Sequence, residues 1–208
     1  MLRTWIQRRS IVMVKGTRVQ GAVRDPSEFL RLKGREYGVT DGNIGHLKQY
    51  LQTTQTGKYS IPDNELLLQI LTHKSFAHGL KPYNEKLSVI GFQLLKLQSS
   101  VHVISKPSDS PYALNGKNFD CLGSLLTKSI GNHKSLARFA KEKQFDQLVF
   151  WKKRDPTLED PATSGEDTVL GKTVLALIGA INLTHGKKVA TEFIETELMP
   201  LLVEDVTR

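Results

Sequence analysis

The sequence predicts an all-α fold, a helical bundle, on three observations. Apolar residues recur at alternating steps of three and four over long windows, no convincing strand alternation competes with them, and Gly and Pro cluster between the helical runs. No internal repeat is visible, so the helices are read as one bundle rather than a stacked array.

Taken from the N-terminus, the first segment is a basic arm. Residues 1–24, MLRTWIQRRSIVMVKGTRVQGAVR, carry Arg3, Arg8, Arg9, Lys15, Arg18 and Arg24. They include no acid, so six of the chain's eight net positive charges precede Asp25. Arg-rich, acid-free sequence mixed with Leu, Trp, Ile and Val reads as a mitochondrial targeting segment, and otherwise as an arm lying on RNA. Residues 25–60 follow as an extension in which PSEFLRL and GHLKQYLQTT read as short helices broken by Gly34, Gly38, Gly42 and Gly45.

Residues 61–208 form the main domain. IPDNELLLQILTHKSFAHG is read as a helix capped by Asp63 or Asn64 and ended by Gly79. Leu87, Ile90, Leu94, Leu97, Val101 and Ile104 then draw one apolar stripe, which predicts a central helix of about five turns. Beyond the loop from Pro107 to Pro111 come two shorter helices, FDCLGSLLTKSIG and HKSLARFAKEKQF, and a loop interrupted by Pro156, Pro161 and Gly165. The next helix carries Leu170, Val174, Leu177 and Ile181 at helical spacing, with small residues at Ala176, Gly179 and Ala180 that let a neighbour approach closely. KKVATEFIETELMPLL closes the domain as an amphipathic helix.

Composition narrows the function. The net charge of +8 over 208 residues points to a polyanionic partner, because clustered Lys and Arg release counterions from phosphate backbones. Cys121 is the single cysteine, which removes internal disulfides and zinc ribbons. No run approaches the ~20 apolar residues that span a bilayer, so the chain is read as soluble or as part of a soluble assembly, with no membrane span. SGEDTVLGKT mimics a phosphate-binding loop, but five residues rather than four separate Gly165 from Gly171, and no strand precedes it. It is read as a helix start with Asp167 in the first turn. His46, His73, His78, His102, His133 and His185 show no metal-binding pattern. Lys152, Lys153 and Arg154 beside Trp151 form a basic loop, either solvated or in contact with RNA.

One pattern is more specific. LTHKSFAHG followed by YNEKLSVIGFQLL, and later by GKTVLALIGAINL, resembles the ribonuclease III domain in order, spacing and surroundings over Asp63 to Leu202. In that family the signatures run Asn-Glu-Arg-Leu-Glu-Phe-Leu-Gly-Asp and Ala-Asp-Thr-x-Glu-Ala-Leu-Ile-Gly-Ala. The resemblance implies an all-α endonuclease domain whose Mg²⁺-binding acids fall at Ser88, Phe92, Lys172 and Leu175. None of the four is acidic here. Mg²⁺ is a hard ion that needs charged oxygens, so the family mechanism is expected to be lost, with no catalytic residue, no metal and no cofactor. Glu85 survives from the first signature. It is expected either to pair with Lys172 or, like Lys172, to face solvent.

Ribonuclease III domains pair through helical faces and lay duplex RNA across the pair. Their frequent appended RNA-binding module is read as absent after the terminal helix. A metal-free domain behind such a leader looks like the fungal mitochondrial large-subunit ribosomal proteins of this fold. The implied partners are mitochondrial large-subunit rRNA, other mitochondrial ribosomal proteins and, as a heterodimer, a second ribonuclease III-like ribosomal protein. The implied site is the mitochondrial matrix ribosome, with Arg3, Arg8, Arg9, Lys15, Arg18, Lys152, Lys153 and Arg154 on RNA phosphates. Rival readings are an RNA-processing nuclease using Glu85, Glu166 and Asp167, and a free pseudoenzyme that regulates a true nuclease.

Overall fold

The computed structural model describes residues 11–14, 17–20 and 30–207 apart from 110, 154 and 156. The chain divides into two units, up to Glu36 and from Tyr37 onward. The first unit corrects the expectation of no strands. Strands β1 (Ile11–Val14) and β2 (Thr17–Gln20) pair antiparallel with Ile11 opposite Gln20, and β3 (Arg31–Leu32) pairs with β4 (Arg35–Glu36). Of PSEFLRL, expected as a helix, residues 26–29 lie outside the described residues, and Arg31 and Leu32 stand in β3 instead. Lys33 and Gly34 both have positive φ, 49° and 80°, the two-residue hairpin turn that a helix cannot accommodate.

From Tyr37 the chain is helical. Helix α1 (Asp41–Thr53) runs through Gly42 and Gly45, which were expected to break it, because Ile44, Leu47 and Leu51 bury one face. Its Tyr50 ring meets the edge of Phe145 at 5.3 Å. Helix α2 (Asn64–Ile70) is capped by Asp63, whose carboxylate accepts from the Glu65 N–H at 2.9 Å. It stops at Leu71 instead of reaching Gly79. The backbone there turns to distant partners: Phe150 N–H donates to Leu71 at 2.7 Å, His73 N–H to Phe150 at 2.9 Å and Asn84 N–H to Thr72 at 2.9 Å. Only the tight turn Phe76–Gly79 remains of the expected continuation.

Two long helices, α3 (Glu85–Ser105) and α7 (Glu166–His185), cross at the centre. Glycines set their distance. A Cβ at Gly91 would overlap the Leu175 carbonyl, and one at Gly179 would overlap the Leu87 carbonyl, so the two backbones touch. The stripe expected to bury α3 is only partly inward: Leu87 is buried, and Ile90, Leu94 and Ile104 are part-buried. The buried face is Leu87, Ser88, Gly91, Leu95, Gln98, Ser99 and Val103, while Leu97 and Val101 are each 48% exposed. On α7 the expected residues Leu170, Val174, Leu177 and Ile181 are all buried.

The remaining helices flank this pair. They are α4 (Leu125–Ile130), α5 (His133–Glu142), α6 (Pro161–Ser164), α8 (Lys187–Phe193) and α9 (Met199–Thr207), with a wider π turn at Ile194–Leu198 between the last two. Both α3 and α7 are long and apolar enough to cross a membrane by length and composition, contrary to the sequence reading. They are packed on each other in the bundle, and α7 is mostly buried.

Candidate functional site

The four signature positions lie on the two crossing helices, Ser88 and Phe92 on α3 and Lys172 and Leu175 on α7. Leu175 and Ser88 lie at the contact itself, 2% and 5% exposed, because the Gly91 and Gly179 approach leaves no room beside them. Ser88 Oγ donates to the Glu85 carbonyl at 2.8 Å on its own helix. Phe92, one turn further, is exposed, and Lys172 is half-buried in the second turn of α7.

Glu85 does not meet Lys172. Its carboxylate takes the Lys74 ammonium at 3.2 Å, which also holds that lysine's pKa above its ordinary value. Lys74 reaches Glu85 from the turn that ends α2, and it is this break in the helix that turns the expected pairing aside. Glu166 and Asp167 are engaged as well, at 3.2 and 3.5 Å from Lys141 of α5. Lys172 makes no ion pair among the described residues.

Two histidines that sequence reasoning assigned to packing or surface stand beside it. His133 opens α5 behind its Asn132 cap, and a Cβ at Gly171 would lie 2.7 Å from His133 Nδ1, so α5 begins against the turn that carries Lys172. Burial first, and the Lys172 charge second, push the His133 imidazole below its usual pKa. His73 is lowered by the same two causes and by Lys74, against an opposing pull from Glu85. Its Nδ1 accepts the Ser75 N–H at 3.2 Å. A signal existed for His73, since it sits in the quoted LTHKS segment; none pointed to His133, which arrives through tertiary packing.

The basic loop joins the same region. Lys152 N–H donates to Ser75 Oγ at 3.0 Å, two residues from His73, and the Lys152 side chain is exposed. Lys153 turns inward, its ammonium donating to the Leu158 carbonyl at 3.1 Å. Arg154, Arg3, Arg8, Arg9 and Lys15 lie outside the described residues, and Arg18 falls in β2.

Residues 63–202 match the ribonuclease-III-like family. The chain belongs to that family. The large ribosomal subunit protein mL57 of Neurospora crassa is 30% identical over 145 residues, 64% of this chain and 53% of its own. Ribonuclease 3 of Corynebacterium diphtheriae is 32% identical over 130 residues, 62% and 48% respectively. The chain thus spans about half the length of these curated relatives. Among solved structures, the nuclease domain of ribonuclease III from Campylobacter jejuni, described with a region involved in dimer formation, superposes with a TM-score of 0.55. It is 25% identical, covering 78% of this chain and 97% of that one.

In this ribonuclease-III-like chain the four signature positions do not suit the family's Mg²⁺. That ion takes six oxygens at ~2.1 Å with carboxylates among them. The four positions offer a hydroxyl, a phenyl ring, an ammonium and an isobutyl group, and the ammonium repels a divalent cation. Among the described residues no three His, Cys, Asp or Glu side chains are grouped to hold a metal.

Proposed function

We propose that this protein is a structural constituent of the mitochondrial large ribosomal subunit, in which a non-catalytic ribonuclease-III-like domain binds rRNA and a partner protein. The observation that carries the reading is the chemistry of the helix crossing: a family fold whose four signature positions, Ser88, Phe92, Lys172 and Leu175, carry no carboxylate. Likeness to mL57, itself a large-subunit protein, supports the ribosomal assignment. Residues 1–24 serve as the leader or as an RNA-contacting arm, residues 25–60 as an extension, and residues 61–208 as the docking domain.

The partner surface is the outer face of α3. Val89 (57% exposed), Phe92 (42%), Leu97 and Val101 lie along it, exposed among the described residues. Burying such side chains stabilises an interface by roughly 1.5–3 kcal/mol each. Since ribonuclease III domains pair through helical faces, the occupant is a second ribonuclease-III-like ribosomal protein.

Sedimentation of mitochondrial extract tests the reading. The protein is expected to migrate with the large subunit in high salt, and the purified chain to leave duplex RNA uncut in Mg²⁺. A light, salt-labile fraction would support a regulatory factor instead. Mg²⁺-dependent cleavage abolished by Glu85→Ala would establish a nuclease.

A further inference from the structure

We infer that the groove between the C-terminal end of α3 and the helical run of α8 and α9 is a docking site for an extended, acidic segment of another protein, which seats an apolar side chain against Met199 and Val203 and its carboxylates on Lys106, Lys187 and Lys188. The groove lies apart from the outer face of α3, since none of Val89, Phe92, Leu97 and Val101 lines it.

Two hollows that share one residue make up the groove. The larger, about 630 Å³, has Lys187, Lys188, Thr191 and Glu192 along its wall. The smaller, about 290 Å³, has His102 and Lys106 from α3 facing Met199, Pro200 and Val203 of α9. Glu195, in the π turn, borders both. The backbone stays helical from α8 through that turn into α9. From Lys187 to Val203 it rises ~24 Å, the reach of about seven extended residues. An elongated trough of this kind suits a stretch of chain rather than a compact ligand.

Charge selects an acidic occupant. Glu192 is paired with Lys58, and the Glu195 carboxylate accepts from Gln98 Nε2. Lys106, Lys187 and Lys188 are exposed and make no ion pair among the described residues. These ammonium groups stand against the single charge of Glu195, an excess that draws carboxylates and repels basic chains. The floor selects protein over nucleic acid. Met199, Pro200 and Val203 offer a sugar–phosphate backbone nothing to bond, but they receive an apolar side chain, and an apolar centre with a charged rim is the anatomy of a protein interface. His102 completes the wall without adding to the charge. Burial first and Lys106 second hold its imidazole below the usual pKa, so the ring is neutral at pH 7, and its Nε2 makes no hydrogen bond.

Titration of the full-length purified chain with a synthetic peptide of about seven residues, alternating Glu and Leu, tests the site. The His102 ring and Met199 methyl resonances are expected to shift saturably, with an affinity that falls as salt rises. Gln in place of Glu in the peptide removes the charges, and Ser in place of Leu removes the apolar anchor; each is expected to weaken binding about tenfold. On the protein, Lys106→Glu combined with Lys188→Glu should lose about tenfold or more with the thermal melt unchanged, because both side chains are exposed. Lys134→Glu, at an exposed lysine of α5 outside the groove, should bind as the wild type does. No shift at His102 with millimolar peptide, or an equal loss in Lys134→Glu, would overturn the site. A short RNA duplex that moves the same resonances while the acidic peptide leaves them in place would also overturn it, assigning the groove to nucleic acid.

Discussion

At the scale of single residues, the cationic substitution at position 172 has a thermodynamic signature. His73 and His133 both have folded-state pKa values below the ordinary 6.5, in part through Lys172. A histidine depressed by folding binds more protons when unfolded, so stability is full above pH ~6.5 and falls as pH drops through the interval down to the folded value. Lys172→Met removes one cause of both depressions. The folded values should rise, and the loss of stability on acidification should shrink, as read by urea melts from pH 7.5 to 5.5 and by proton titration of the two rings. His102 supplies an internal control. Its depression comes from burial and from Lys106, so its titration should not move. A variant whose His73 and His133 titrate as in the wild type would show that Lys172 does not reach them.

At the scale of elements, the glycines separate a packing role from a merely helical one. Gly91 and Gly179 lie where a methyl group would meet backbone carbonyls of the opposite helix, which no rotamer change can relieve. Gly45 of α1 has only Asp41 Cβ, at 3.8 Å, near its added methyl. Gly91→Ala is therefore expected to cost ~3 kcal/mol or more, whereas Gly45→Ala should stabilise by ~0.5–1 kcal/mol through helix propensity, both measurable by chemical denaturation. The same contact explains what the sequence hid. On α7, large apolar side chains pack on several sides, so hydrophobic periodicity located the core correctly. On α3 the inner face is built partly from Ser88, Gly91 and Ser99, small enough to let the helices touch, so the period of the bulky residues ran from buried Leu87 along the flank to exposed Leu97 and Val101. The end of α2 was hidden for another reason: it is fixed by hydrogen bonds to Phe150, remote in sequence. The two signatures are local in sequence, but the pairing of Glu85 with Lys74 and the arrival of His133 are products of tertiary structure.

For the whole molecule, the exposed apolar residues of α3 become a statement about assembly. Val89, Phe92, Leu97 and Val101 are large apolar side chains exposed on the side of α3 turned away from the core, and a group of this kind marks an interaction surface. Replacing Leu97 and Val101 by Asp distinguishes a docking face from core that merely shows at the surface. Neither side chain contributes to the buried side of α3, so the double variant should melt within ~1 kcal/mol of the wild type, since exposed substitutions away from special features change little. Two carboxylates in a desolvated interface should nonetheless abolish pairing, and with it migration with the large subunit. Unfolding of the variant would mean that the stripe belongs to the core after all. Full retention of ribosomal association would mean that the partner docks elsewhere, leaving the rRNA contacts to hold the protein in place.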